Sequence, residues 1–147
     1  MTVNNIMYEA IFCGGCFWSF QKKFSQKFGN DIKLSEVGYI GGIKKNPSYE
    51  EVCSGKTGHT ECLRLKYTKV SYRTLLEFFF TTHDFTKKRK TQYKSAIFFK
   101  TEHQKREAIK IIKELKKILP VATEVLPYTK FYKAEEYHQF YLDKLKK

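Results

Sequence analysis

The segment Cys13-Gly14-Gly15-Cys16-Phe17-Trp18 holds the residues of this 147-residue chain best suited to chemistry. Cys16 falls where a glycine turn hands a strand over to a helix. Exposed amides and the positive end of a helix dipole favour a thiolate at such a place. The thiolate is the nucleophilic form of the side chain. A cysteine in a tight turn can also be a small buried hydrophobe, but two glycines clear space around this sulfur, which favours reactivity. Cys13 and Cys16 are spaced like thiols that close a disulfide across a turn. No second close pair accompanies them, so no metal site is expected.

The elements that must carry these residues follow from the hydrophobic period. Residues 8–13 read as a buried strand, and residues 16–28 as a helix with Phe17, Phe20, Phe24 and Phe28 on one face. Gly29-Asn30 stops that helix. A second strand spans residues 32–39, and a turn at Asn46-Pro47-Ser48 leads on. Residues 60–67 alternate clearly, with Glu61, Leu63, Leu65 and Tyr67 on one face and Cys62 on the other. A carboxyl on that apolar face loses hydration and keeps its proton to higher pH, as a general acid requires. Ser71 caps a helix running to about residue 83. A strand at 95–99, a long helix at 102–119, a short strand at 123–126 and an amphipathic piece at 134–145 complete the chain. Strands alternating with helices predict one α/β (α+β) domain over residues 1–147, a two-layer sandwich with a mixed sheet.

Lys and Arg number 28 against 15 Asp and Glu, a formal net charge of +13. The middle basic cluster, between residues 105 and 117, lies opposite Ala108, Ile111, Ile112 and Leu115, as on an ordinary solvated helix. No nucleic-acid-binding module is recognisable, so a nucleic-acid partner is not expected. Aromatic residues make up 16% of the chain, which argues against disorder. No apolar run is long enough to span a bilayer, and the first residues lack the order of a signal peptide. A cytoplasmic monomer with free thiols is the expectation.

Several blocks of the sequence, in order, resemble the peptide methionine-(S)-sulfoxide reductases, the class A methionine sulfoxide reductases. Gly14-Gly15-Cys16-Phe17-Trp18 is similar to their active-site signature. Val37-Gly38-Tyr39-Ile40-Gly41-Gly42, Asn46-Pro47-Ser48-Tyr49-Glu50-Glu51-Val52-Cys53-Ser54-Gly55 and Thr57-Gly58-His59-Thr60-Glu61 follow the same pattern. So do His83-Asp84, Thr91-Gln92-Tyr93-Lys94-Ser95-Ala96-Ile97 and Phe131-Tyr132-Lys133-Ala134-Glu135-Glu136-Tyr137-His138-Gln139. The resemblance implies a ferredoxin-like core. It implies that Cys16 attacks the sulfoxide sulfur, that Glu61 protonates its oxygen, and that the Tyr49 and Tyr93 hydroxyls donate to that oxygen. Phe17 and Trp18 would wall the substrate methyl group, and His59 and His138 would be structural. The implied substrate is methionine-(S)-sulfoxide, free or in oxidised proteins. The implied electron donor is a thiol (thioredoxin, glutaredoxin or dithiothreitol), with no bound cofactor.

Two departures from that pattern shape the expectations. Many members carry resolving cysteines on a C-terminal tail, whereas this sequence reaches Lys147 without one. Cys13, Cys53 and Cys62 are then the internal candidates, with Cys13 favoured over Cys53 for its Cys-x-x-Cys spacing and Cys62 last. Direct reduction by an external thiol competes with all three. Between His83 and Thr91 the family has a longer glycine-containing segment with an acidic residue near the substrate. Here Asp84-Phe85-Thr86-Lys87-Lys88-Arg89-Lys90 stands instead, a basic run that biases substrates toward acidic neighbours. Two other functions compete: a general dithiol-disulfide oxidoreductase using Cys13 and Cys16, and a catalytically weakened, basic binding protein.

Overall fold

The computed structural model describes residues 7–145. Its centre is a six-stranded sheet: β1 (Tyr8–Gly14), β2 (Ile32–Ile40), β3 (Thr60–Tyr67), β4 (Ser95–Phe99), β5 (Glu124–Pro127) and β6 (Tyr132–Lys133). The spatial order is β5-β4-β1-β3-β2-β6. Only the β4–β5 pair is parallel, so the sheet is mixed. The helices are α1 (Phe17–Phe28), α2 (Tyr49–Cys53), α3 (Tyr72–Phe79), α4 (Glu102–Leu115) and α5 (Tyr141–Lys144). Within this order, β1-α1-β2-β3-α3-β4 with strands placed β4-β1-β3-β2 is the ferredoxin-like split βαβ arrangement.

The strand alternation decides what lies on each side of the sheet. Ala10 and Phe12 of β1, Val37 and Tyr39 of β2, Leu63 and Leu65 of β3, and Ile97 of β4 join one core. Helices α1, α3 and α4 supply the other half, through Phe17, Phe20 and Phe24, through Leu75, Leu76 and Phe79, and through Ala108, Ile111 and Ile112. Residues of opposite parity, Ile11, Cys13, Ile40, Cys62, Ala96 and Phe98, form a smaller cluster on the far face, closed by Phe131 and Leu126. That far face also holds Arg64, which pairs with Glu9 and Glu36. At Gly38 a Cβ would stand 2.3 Å from the Tyr132 carbonyl, so only glycine lets β6 pair with β2 there.

Three local expectations are corrected. The long helix ends at Leu115 rather than residue 119, and Ile118 is exposed. The segment after Pro47 is a short helix with a full capping box, Ser48 accepting from the Glu51 amide and Glu51 accepting from the Ser48 amide. The 134–145 piece is not continuous, because Phe140 takes φ +53° and divides a 3₁₀ turn, Glu136–His138, from α5. Gln139 replaces the missing helical bonds by pairing with the Val37 amide and carbonyl at 2.9 and 3.0 Å. This ties the C-terminal segment to β2 beside the site.

Candidate active site

Cys16 occupies the N-cap position of α1, between a turn at Gly15 (φ +91°) and the first helical residue. A left-handed φ suits glycine, and it swings the chain from β1 into α1 with Cys16 exposed at the junction. The Trp18 and Ser19 amides favour a negative sulfur, as expected at a helix start. Burial and the neighbouring Glu61 charge outweigh them, so the thiol is pushed above its ordinary value. The pull of the helix-start amides toward a thiolate is real but is outweighed in the free site.

Glu61 sits at the beginning of β3 on the helix-facing side and is 1% exposed. Oε1 accepts the Phe17 backbone N–H at 3.2 Å, and Oε2 accepts the Gln92 side-chain amide at 2.7 Å. Burial raises the carboxyl above its ordinary value, against the opposing pull of both hydrogen bonds and the Lys90 charge. Gln92 lies in a 3₁₀ turn, Thr91–Tyr93, just before β4, and the same amide nitrogen reaches Cys53 Sγ at 3.3 Å. Two neighbours complete this wall. The Tyr49 phenol has Cys53 as a neighbour, and the Tyr93 phenol has Tyr49. Burial raises both phenols, so each stays protonated and able to donate.

The aromatic residues assemble around His138. Phe17 is buried and packs with ring centroids 5.2 Å from His138 and 6.3 Å from Tyr49. Trp18 is half-buried, donates its indole N–H to His138 Nδ1 at 2.9 Å, and stacks on Tyr141 at 4.0 Å. His138 Nε2 is buried without a partner among the described residues. Nδ1 accepts from Trp18, so the neutral ring carries its proton on Nε2. His59 accepts the Gly42 amide at 3.1 Å and contacts the Lys44 carbonyl at 2.7 Å, holding the loop after β2.

The structure therefore brings Cys16, Glu61, Tyr49, Tyr93, Phe17, Trp18 and Cys53 to one end of the sheet. Cys13 does not join them. Its side chain has the parity of Ile11, is fully buried on the opposite face, and lies in the same cluster as Cys62. The expectation that Cys13 resolves Cys16 is corrected on that ground: the β pleat turns the two sulfurs of the Cys-x-x-Cys segment to different sides. Gln92 and Glu135 were assigned no role by sequence reasoning. Glu135 accepts from Tyr39 Oη at 2.8 Å and from the Tyr49 amide at 2.9 Å, fixing the start of α2. Their only signal was membership of the ordered blocks. Among the described residues, no group of three His, Cys, Asp or Glu side chains could hold a metal ion.

A buried carboxyl raised above its ordinary value, bound to the amide next to an exposed thiol, can pass a proton to a group that the sulfur attacks. Known proteins share this framework. The family model for peptide methionine sulfoxide reductase matches residues 8–147. Peptide methionine sulfoxide reductase MsrA from Nautilia profundicola is 46% identical over 94% of this chain and 84% of its own length. The MsrA from Pasteurella multocida is 41% identical over 91% of this chain and 82% of its own. The crystal structure of reduced Mxr1 from Saccharomyces cerevisiae superposes with a TM-score of 0.90 at 31% identity, covering 98% of this chain and 88% of that one. With its mixed sheet, its helix-start cysteine and its buried glutamate in this common frame, the chain belongs to the peptide methionine sulfoxide reductase family.

Proposed function

We propose that this chain reduces methionine-(S)-sulfoxide, free or within oxidised proteins, to methionine, with thiols as the source of electrons. The observation that carries the reading is the position of Glu61, buried and clamped to the amide that follows Cys16, with its carboxyl raised by burial above its ordinary value. The Cys16 sulfur attacks the sulfoxide sulfur while the oxygen takes a proton from Glu61. The protonated oxygen passes to the Cys16 sulfur as the transient sulfur–sulfur bond and the substrate sulfur–oxygen bond break, so methionine leaves and Cys16 is left as a sulfenic acid. Two electrons have passed from the Cys16 sulfur to the substrate. Tyr49 and Tyr93 donate to the oxygen as charge develops on it. Phe17 and Trp18 offer aromatic surface to the methyl group and sulfur.

A free thiol or a thioredoxin- or glutaredoxin-like protein then attacks the exposed Cys16 sulfur and releases water. A second thiol on the donor frees Cys16 and leaves the donor as a disulfide. Cys53 supports a second reading of this step, because its sulfur shares the Gln92 amide with Glu61. A dithiol oxidoreductase built on Cys13 and Cys16 is not favoured, since Cys13 is sealed on the far face. Incubation with each sulfoxide epimer and dithiothreitol tests the proposal. Methionine forms from the S epimer only, and equal turnover of both epimers, or of neither, contradicts it.

A further inference from the structure

The connection between α3 and β4 carries four consecutive cations, Lys87-Lys88-Arg89-Lys90, all exposed. Two of them bend over the site. Arg89 Nη1 lies 3.1 Å from the point a Cβ on Gly15 would occupy, one residue before Cys16. Its guanidinium carbon stands 5.9 Å from the Tyr93 ring centroid, and Lys90 Nζ stands 5.0 Å from the same ring. Tyr93 thus holds both cations at the lip that faces Cys16, Glu61 and Tyr49. Lys90 is close enough that its charge pulls on the buried Glu61 carboxyl.

Neither cation has an acidic partner among the described residues, where the ion pairs join other side chains. The nearby carboxylates are already engaged. Asp84 accepts from the Thr86 amide and hydroxyl within its own turn. Glu135 holds Tyr39 and Tyr49. Glu61 is buried and bonded on both oxygens to the Phe17 amide and the Gln92 side chain. The lip therefore presents uncompensated positive charge to whatever enters.

We propose that Arg89 and Lys90 form a carboxylate-recognition rim that selects methionine sulfoxides flanked by Asp or Glu in a peptide chain. The inference rests on the reductase reading above and names the substrate class of that same site. An acidic peptide brings net negative charge to the rim. Free methionine sulfoxide is a zwitterion of zero net charge, and the rim repels its ammonium as much as it attracts its carboxylate. Charge complementarity of this kind raises capture of the matching partner and is screened by salt.

The test uses end-blocked peptides with a central methionine-(S)-sulfoxide flanked by Glu, Gln or Lys, and free methionine sulfoxide beside them. Dithiothreitol is the reductant, so no protein donor competes for the rim. At low ionic strength kcat/KM falls from the Glu to the Gln to the Lys peptide, by about two- to fivefold per step, as exposed charge pairs give. The spread narrows toward unity at about 0.5 M NaCl. Arg89→Gln with Lys90→Gln levels the ranking, and Arg89→Glu with Lys90→Glu inverts it. Each ratio compares peptides on one enzyme, so changes in Cys16 reactivity cancel. Equal turnover of all three peptides by the unaltered protein, or an unchanged ranking after charge reversal, overturns the rim alone. Free methionine sulfoxide outpacing the Glu peptide overturns the peptide assignment. Absence of turnover on every substrate overturns both the rim and the reductase reading.

Discussion

Glu61 and the Phe17 backbone amide, 44 positions apart in the chain, meet at 3.2 Å in the interior of the protein. The bond crosses from the first residues of β3 to the first turn of α1, and it places a carboxyl beside the residue that precedes Phe17. A helix start carries amides without intrahelical partners, and here a distant carboxyl satisfies one of them. Because the same carboxyl is desolvated, it holds a proton more readily than an exposed glutamate does. Acid and nucleophile are therefore coupled through one helix terminus.

Glu61→Gln keeps an acceptor for the Phe17 amide but removes the acid. With methionine-(S)-sulfoxide and dithiothreitol, kcat is expected to fall by about 10²- to 10⁴-fold, the range of general acid catalysis. Tyr49→Phe and Tyr93→Phe are expected to lower kcat by smaller factors with little change in KM, since their hydroxyls act as the oxygen gains charge. Steady-state kinetics on the purified variants checks both. A Glu61→Gln enzyme within threefold of the unaltered protein removes the acid assignment.

The pH profile follows from two shifts in the same direction. Glu61 is raised above 4.5 and Cys16 above 9.0. The reactive form needs a thiolate and a protonated carboxyl together, which is the resting thiol and carboxylate after one proton moves between them. Its population is constant between the two pKa values. It falls below the Glu61 pKa, where the carboxyl already holds a proton and the thiol keeps its own. It falls again above the Cys16 pKa, where the carboxyl has no proton to give. A plot of log kcat/KM against pH is expected to be flat between these limbs, and Glu61→Gln to replace the plateau with a steady rise toward the Cys16 pKa and no alkaline fall. A steady rise through the neutral range in the unaltered protein would point to thiol ionisation alone.

His83 gives the fold its own pH dependence. Burial lowers its pKa from 6.5 to about 4, with the ring held between the Thr82 and Ser95 hydroxyls. The unfolded chain takes up this proton as pH falls through 6.5, and the folded chain does not until about 4. Stability contributed by the neutral ring is thus present above 6.5 and is lost progressively toward 4. Between about pH 7 and pH 4.5, Tm of the unaltered protein should drop by at least about 3 °C more than that of His83→Gln. Parallel Tm curves would show that His83 does not report this burial.

Much of the site was legible in the sequence because β-strand parity and helix-start position are local properties. Alternation alone put Glu61 with Leu63 and Leu65 on the apolar face of β3, where the structure has it. The glycine turn placed Cys16 at a helix start. What the local pattern does not carry is the tertiary balance of charge and burial. Favourable amides at Cys16 are visible in sequence; the burial and the Glu61 charge that override them arise only in the folded chain. Cys13 was misjudged because spacing was read across a turn while the pleat of β1 sends its sulfur to the side of Ile11. Gln92 and Glu135 work through partners 31 and 86 or more residues away, and no local period marks them. The break at Phe140 likewise depends on Gln21 accepting its amide at 2.7 Å from across the fold.

The most direct test of the account is a single turnover without reductant, with the reduced protein given excess methionine-(S)-sulfoxide under exclusion of air. The account predicts one methionine per chain and one oxidised sulfur, at Cys16. A sulfenic-acid trap followed by mass mapping locates it, while Cys13 and Cys62 remain thiols. Recovery of a Cys16–Cys53 disulfide would assign resolution to Cys53 in place of an external thiol and leave the first step intact. Methionine formed with Cys16 unmodified, or formed by Cys16→Ser, would contradict the central claim.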